Sequence, residues 1–238
     1  MRIIKAAVIF IIICIAAGVG FLYLAPQKAT ALALDVERMR SGLERKEIDL
    51  PNNLHYVYLE GGKCEPLILL HGFGANKDNF TRVARFLTPH YRVIIPDHIG
   101  FGESSHLQEA DYSALTQASR IKILAQALGI TKAHVGGSSM GGHISMMYAF
   151  LYPDDVKSLW LIDQGGVWTA PHSELREIIN KTGKNPLMAK NEEQFTDIFK
   201  YVMEDHPFIP RPILNVMAQE RIANYNLEER IFKQLSDD

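Results

Sequence analysis

The chain has 238 residues, of which 47% are hydrophobic and 22% charged, with a formal net charge of -2. That balance excludes a disordered or collagen-like chain and leaves room for a domain with a real core. With no long basic run, nothing asks for a nucleic-acid partner.

The N-terminus comes first. Arg2 and Lys5 precede a run from Ala6 to Leu24 that contains no charged residue. About 19 residues rising 1.5 Å each span roughly 28 Å, close to the hydrocarbon thickness of a bilayer. Tyr23 stands where an interfacial aromatic belongs, and Pro26 ends the helix. Residues 1–26 therefore read as a single-pass membrane anchor. The positive flank keeps the N-terminus in the cytoplasm, and the body is exported, to the periplasmic side of a bacterial cell. A cleaved signal peptide is the competing reading, since Ala29-Thr30-Ala31 and Ala31-Leu32-Ala33 offer small-x-small sites. Cys14 lies in the apolar run and Cys64 in a Gly-rich loop, so neither a disulfide nor a zinc motif is expected.

Residues 27–45 read as a connector helix, with Leu32, Val36, Met39 and Leu43 at helical spacing. The period then shifts to two. Glu47 to Leu50 and His55 to Leu59 alternate as strands around a Pro51-Asn52-Asn53 turn. Pro66 to Leu70, Arg92 to Ile95, Ala133 to Gly136 and Leu159 to Ile162 are short apolar runs, suited to strands buried on both faces. Helical stretches separate them at Asn79 to Leu87, Tyr112 to Leu128 and Gly141 to Tyr152. Residues 46–168 are thus expected to form a doubly wound, mainly parallel α/β sheet. Residues 169–238 are helical in tone and broken by prolines, which suggests a cap lying over the sheet. Trp168, Phe195, Ile198, Phe199, Tyr201, Val202, Met203 and Phe208 supply an apolar surface that could cover a site or form the cap's own core.

Three motifs carry chemistry. Gly137-Ser138-Ser139-Met140-Gly141 is a G-x-S-x-G pattern between a predicted strand and a predicted helix, and it marks Ser139 as a nucleophile on a sharp turn. The glycine spacing centres on Ser139 and makes Ser138 the weaker candidate. The following helix points its positive end at the place where negative charge develops. His71-Gly72-Phe73-Gly74 follows the apolar strand. In such an architecture the backbone N–H groups of Phe73 and Met140 form an oxyanion hole. His71 itself is expected to hold the loop by hydrogen bonding. The third motif, Asp97-His98-Ile99-Gly100-Phe101-Gly102-Glu103-Ser104, is a tight turn in which Asp97 has a turn-stabilising role.

Together, the stretch from Leu69 to Phe80, the turn from Asp97 to Ser104 and Gly137 to Gly142 resemble the α/β-hydrolase superfamily. They are most similar to its membrane-anchored monoacylglycerol-lipase and bacterial lipase/esterase branch. The resemblance implies a helical cap insertion and no metal or organic cofactor. It also implies a triad acid on a strand after the cap and a histidine later still. Neither motif lies before Asp238, so the last strands, the acid and the base are expected beyond residue 238 of a longer product. An inactive short product is the alternative. Asp163, after the strand that follows the nucleophile, is an alternative acid. His143, His172 and His206 are poor candidates for the base. The function expected is hydrolysis of a carboxylic ester, such as a small lipidic ester or a monoacylglycerol, through a Ser139 acyl-enzyme. A C–C bond hydrolase acting on diketones and a non-catalytic, membrane-tethered binding module are the rivals. No obligate protein partner is evident.

Overall fold

The computed structural model describes residues 2–167, 169–171, 173–205 and 208–236. Helix α1 (Arg2–Leu24) has no buried residue and is long and apolar enough to cross a membrane. Helix α2 (Pro26–Arg40) starts after a one-residue break at Ala25. Pro26 lacks an N–H and so cannot continue α1, but its fixed φ suits the first position of α2. The body holds α2 through Arg38, whose guanidinium meets both carboxylate oxygens of Asp78 at 2.7 and 2.6 Å. Ser41 adds a hydrogen bond from its hydroxyl to the Thr81 carbonyl at 2.7 Å.

Strand β1 (Glu44–Leu50) begins two residues before the expected boundary at 46, so Arg45 belongs to a strand and not to the connector. Glu44-Arg45-Lys46-Glu47 is all charged and shows no alternation. Its pairing with β2 (Leu54–Gly61) decides the conformation, from Glu44 opposite Glu60 to Leu50 opposite Leu54. Asn52 and Asn53 both take positive φ in the turn, which asparagine tolerates.

The sheet continues with β3 (Glu65–Leu70), β4 (Tyr91–Pro96), β5 (Ala133–Ser138) and β6 (Val156–Ile162), in the order β1-β2-β4-β3-β5-β6. The first two pairings are antiparallel and the other three parallel. Side chains alternate between the faces as a pleated strand requires. On β3, Leu67 and Leu69 pack with Phe80 and Ala84, the latter on α3 (Thr81–Leu87). Ile68 and Leu70 pack on the other face with Ile121 of α4 (Ala114–Ala127) and Ile144 of α5 (Met140–Leu151). The chain runs from β3 outward to β4, then crosses back to β5 on the far side of β3. The carboxyl ends of β3 and β5 thus flank a topological switch point, the usual place for a crevice in an open α/β sheet.

Four helices follow: α6 (Glu174–Thr182), α7 (Glu192–Val202), α8 (Arg211–Ala223) and α9 (Tyr225–Ser236). The apolar set expected over the site divides. Phe195, Ile198 and Phe199 form a small separate core with Ala218, Leu214 and Ile222, whereas Val202, Met203 and Phe208 are exposed. Trp168 lies outside the described residues. Leu227, Ile231 and Leu235 of α9 join the main cluster beneath the sheet.

A polar seam crosses the turn after β4. The Lys77 ammonium meets Asp97 at 2.9 Å and Glu103 at 2.6 Å, with the Lys77 and Asp97 side chains only 2% and 0% exposed. Asp97 also accepts the backbone N–H groups of Lys77 and Glu103, at 2.6 and 2.8 Å. Nearby, His71 and His98 are fully buried. Removing one partner of a buried pair strands the other charge and typically costs about 3–5 kcal/mol. Lys77→Met should therefore lower the melting temperature by roughly 10 °C in a chain of this size. A change of under about 1 kcal/mol in urea unfolding would show that the backbone donors alone satisfy Asp97.

Acid should weaken the fold in two stages. Burial pushes the pKa of His71 down and that of His98 well below 6.5, so both stay neutral in the folded chain. Their contribution is complete above the unfolded-state pKa near 6.5 and is lost as pH falls below it. Burial alone would raise the Glu103 carboxyl, but hydrogen bonds from Arg45 and Lys77 override it and hold the pKa at about 2. That contribution is present above about 4.5 and is lost between there and about 2. Urea midpoints measured against pH should show both stages. His98→Leu should flatten the upper stage and Glu103→Gln the lower.

Candidate functional site

Strand β5 delivers the chain to Ser139, which sits at φ +53°, ψ -116°. Such backbone is costly for a residue with a Cβ and persists only where the surroundings fix it. Here the neighbouring strand ends do so. The Ser139 N–H donates to the Ile162 carbonyl at 2.9 Å, and the Ser139 carbonyl accepts from Gly165 at 3.0 Å and from His143 at 3.1 Å. The flanking glycines are required by close approach. A Cβ on Gly141 would lie 2.0 Å from the Leu70 carbonyl oxygen, and one on Gly137 would lie 2.3 Å from the Gly141 backbone. Without them α5 could not start directly against β3. The Ser139 side chain is exposed.

The loop after β3 lies beside this turn, since a Cβ on Gly72 would come within 3.4 Å of the Ser139 Cβ. Gly72 to Ala75 form a β-turn closed by the Ala75 N–H on the Gly72 carbonyl at 3.2 Å, with Gly74 at φ +68°. The Phe73 N–H donates to no backbone carbonyl among the described residues. Met140 opens α5, so its N–H has no acceptor within the helix, and the helix dipole adds a partial positive charge there. The two N–H groups expected to form an oxyanion hole are thus both open and flank Ser139.

His71 holds this loop. Its Nδ1–H donates to the Gly72 carbonyl at 2.8 Å, and its Nε2 accepts the His98 N–H at 3.1 Å. The Phe73 ring stands edge-on between Phe101 (5.6 Å) and Phe232 of α9 (5.3 Å). From α8, Arg221 reaches the Gly74 carbonyl at 2.6 Å. The sequence reading missed Arg221 and Phe232, because no local pattern links them to a loop some 150 residues earlier.

Asp97 serves the turn described above. Asp163 follows β6 at φ +45°, exposed, and its carboxylate makes no hydrogen bond among the described residues. His143 sits one turn beyond Ser139, buried, with its ring against Gly166. His172 and His206 lie outside the described residues. No hydrogen bond joins a histidine to the Ser139 hydroxyl among the described residues, and no cluster of three or more His, Cys, Asp or Glu there could hold a metal ion.

Residues 65–193 match the family described as alpha/beta hydrolase fold. Lipase 1 of Psychrobacter immobilis is 46% identical over 212 residues, covering 88% of this chain and 66% of that lipase. Lipase 3 of Moraxella sp. is 44% identical, over 88% of this chain and 67% of its own length. The chain therefore spans about two thirds of the length of these two lipases. Among solved structures, a membrane phospholipase A described as a bacterial virulence factor superposes with a TM-score of 0.86 at 39% identity, over 98% of this chain and 75% of that one. The match runs through the Ser139 turn, the loop at Phe73 and the parallel strands that carry both: the chain belongs to the α/β-hydrolase fold family.

Proposed function

We propose that this chain carries the nucleophile and oxyanion loop of a membrane-anchored serine hydrolase that cleaves carboxylic esters of lipids. The observation that carries the reading is Ser139 at φ +53°, exposed on a turn strapped by Ile162 and Gly165. A serine held this way presents its hydroxyl to solvent at the mouth of the switch point.

In this reading Ser139 Oγ attacks the ester carbonyl, and the Phe73 and Met140 N–H groups hold the oxyanion that develops. The alcohol leaves, the acyl group stays on Ser139, and water releases it. The proton from Ser139 needs a base. None of the described histidines is hydrogen-bonded to Ser139, and the chain spans about two thirds of the two lipases it matches; the reading assigns the base, and the acid that orients it, to a segment outside residues 1–238. Asp163 is the alternative acid, since β6 runs from the Ser139 strap directly into it. Helix α1 tethers the domain, with Arg2 and Lys5 on the cytoplasmic side and the body exported. The relatives, two lipases and a membrane phospholipase A, support a lipidic ester over a diketone.

A fluorophosphonate probe tests this. The chain in detergent micelles should be labelled at Ser139, and Ser139→Ala should abolish the label. Losing a general base costs about 10⁴- to 10⁶-fold in comparable triads, so labelling should be slow in this chain and fast in a form that carries the missing segment. Equal labelling of Ser139→Ala, or silence in both forms, would sink the proposal.

A further inference from the structure

The Arg221 side chain is 11% exposed and ties three separate pieces of chain together. Its Nη1 donates to the Gly74 carbonyl at 2.6 Å, and its Nη2 donates to the Leu187 carbonyl at 2.8 Å. Its Nε meets the Glu228 carboxylate on α9 at 2.7 Å, and Glu228 is itself 3% exposed. The guanidinium also lies 5.8 Å from the centre of the Phe73 ring. A Cβ on Gly74 would sit 2.0 Å from Arg221 Nη1, so Gly74 leaves open the space the arginine fills.

The Gly74 carbonyl belongs to the exit peptide of the turn whose first central residue is Phe73. A turn with positive φ at its second central position reads as type II, which differs from type I in the orientation of the central Phe73–Gly74 peptide. Fixing the Gly74 carbonyl fixes the exit peptide, and Phe101 and Phe232 fix the Phe73 ring. The Phe73 N–H lies in the entry peptide, whose Gly72 carbonyl accepts from the Ala75 N–H at 3.2 Å and from His71 Nδ1 at 2.8 Å, so Arg221 holds the same turn from its other end. Only a planar fork with several donors serves all these acceptors at once, and lysine's ammonium does not.

We propose that Arg221, held by Glu228, is a positioning residue through which the cap helices aim the Phe73 N–H at the oxyanion. The proposal rests on the reading of Ser139 and Phe73 given above. Arg221 touches neither nucleophile nor substrate and acts only through the loop.

The test measures phosphonylation of Ser139 by the fluorophosphonate in the micelle-bound protein, split into the maximal rate and the half-saturating probe concentration. Losing one oxyanion donor costs about 10²- to 10³-fold. Arg221→Met should lower the maximal rate by about 10²-fold and leave the half-saturating concentration within about twofold. Arg221→Lys should recover only a small part. A role confined to holding the cap together would lower the melting temperature and leave the maximal rate per folded molecule unchanged, and that result overturns the proposal. If Arg221→Met folds poorly, Glu228→Gln keeps the arginine and should give an intermediate loss, whereas an unchanged maximal rate there also overturns it. Amide hydrogen exchange of residues 71–76 supplies a readout that needs no reaction. Arg221→Met should speed it while residues 133–138 stay protected, and no change overturns the proposal. Persistent labelling in Ser139→Ala would instead sink the nucleophile reading and leave the exchange measurement to decide the role of Arg221.

Discussion

The close approach of α5 to β3 governs the rest of the site. With the Leu70 carbonyl 2.0 Å from where a Gly141 Cβ would be, the helix starts on top of the neighbouring strand without an intervening loop. The chain has a single residue, Ser139, in which to turn from strand to helix, and positive φ is the geometric result. The strain is retained because the ends of β6 and α5 satisfy both backbone groups of Ser139. The same approach brings the first turn of α5 beside the loop after β3. The Ser139 turn, the open N–H groups and the helix dipole therefore converge as one consequence of tight packing.

A second constraint comes from burying charge beneath that loop. Lys77 and Asp97 are almost inaccessible, so each needs the other and the backbone donors around it. Lys77 sits three residues after Gly74, and Asp97 begins the turn that carries Phe101 against the Phe73 ring. The ion pair thus sets the distance between the loops after β3 and β4, and the His71–His98 hydrogen bond does the same one residue further into the core. His98 is less settled, since both its ring nitrogens are buried with no partner among the described residues. A buried imidazole in that position can stay only in its neutral form.

The legible parts of the fold were those with a strong period or a motif of fixed spacing. Four apolar runs lie in strands where their sequences place them, and Leu67 to Leu70 and Val93 to Ile95 are buried on both faces as expected; β6 is not, since it ends the described sheet with Leu159 and Trp160 exposed. The elbow was legible because glycines two residues either side of a serine answer a steric need. Strand β1 was harder to see. Its charged start is exposed at the sheet edge, and only pairing with β2 makes it a strand. The split of the apolar cap residues was also hidden. Helical periodicity shows that Phe195 and Ile198 share a face, but not that the face closes on Ala218. Arg221 was beyond reach for the same reason, since its acceptors lie in segments that meet only in the folded chain.

The cap is less separable from the sheet than its position suggests. Helix α9 buries Leu227, Ile231 and Leu235 in the main cluster, and Gln234 accepts the Tyr112 N–H at 2.6 Å. Helix α8 holds the Gly72–Ala75 turn near its C-terminal end, while its first turns lie against the end of α1. There Tyr23, Pro26 and Gln27 line a cavity of about 350 Å³ with Arg211, Pro212 and Asn215. Displacing α8 would therefore release Gly74 and disturb the junction with α1 in the same movement. Helix α6, by contrast, has no buried residue among those described.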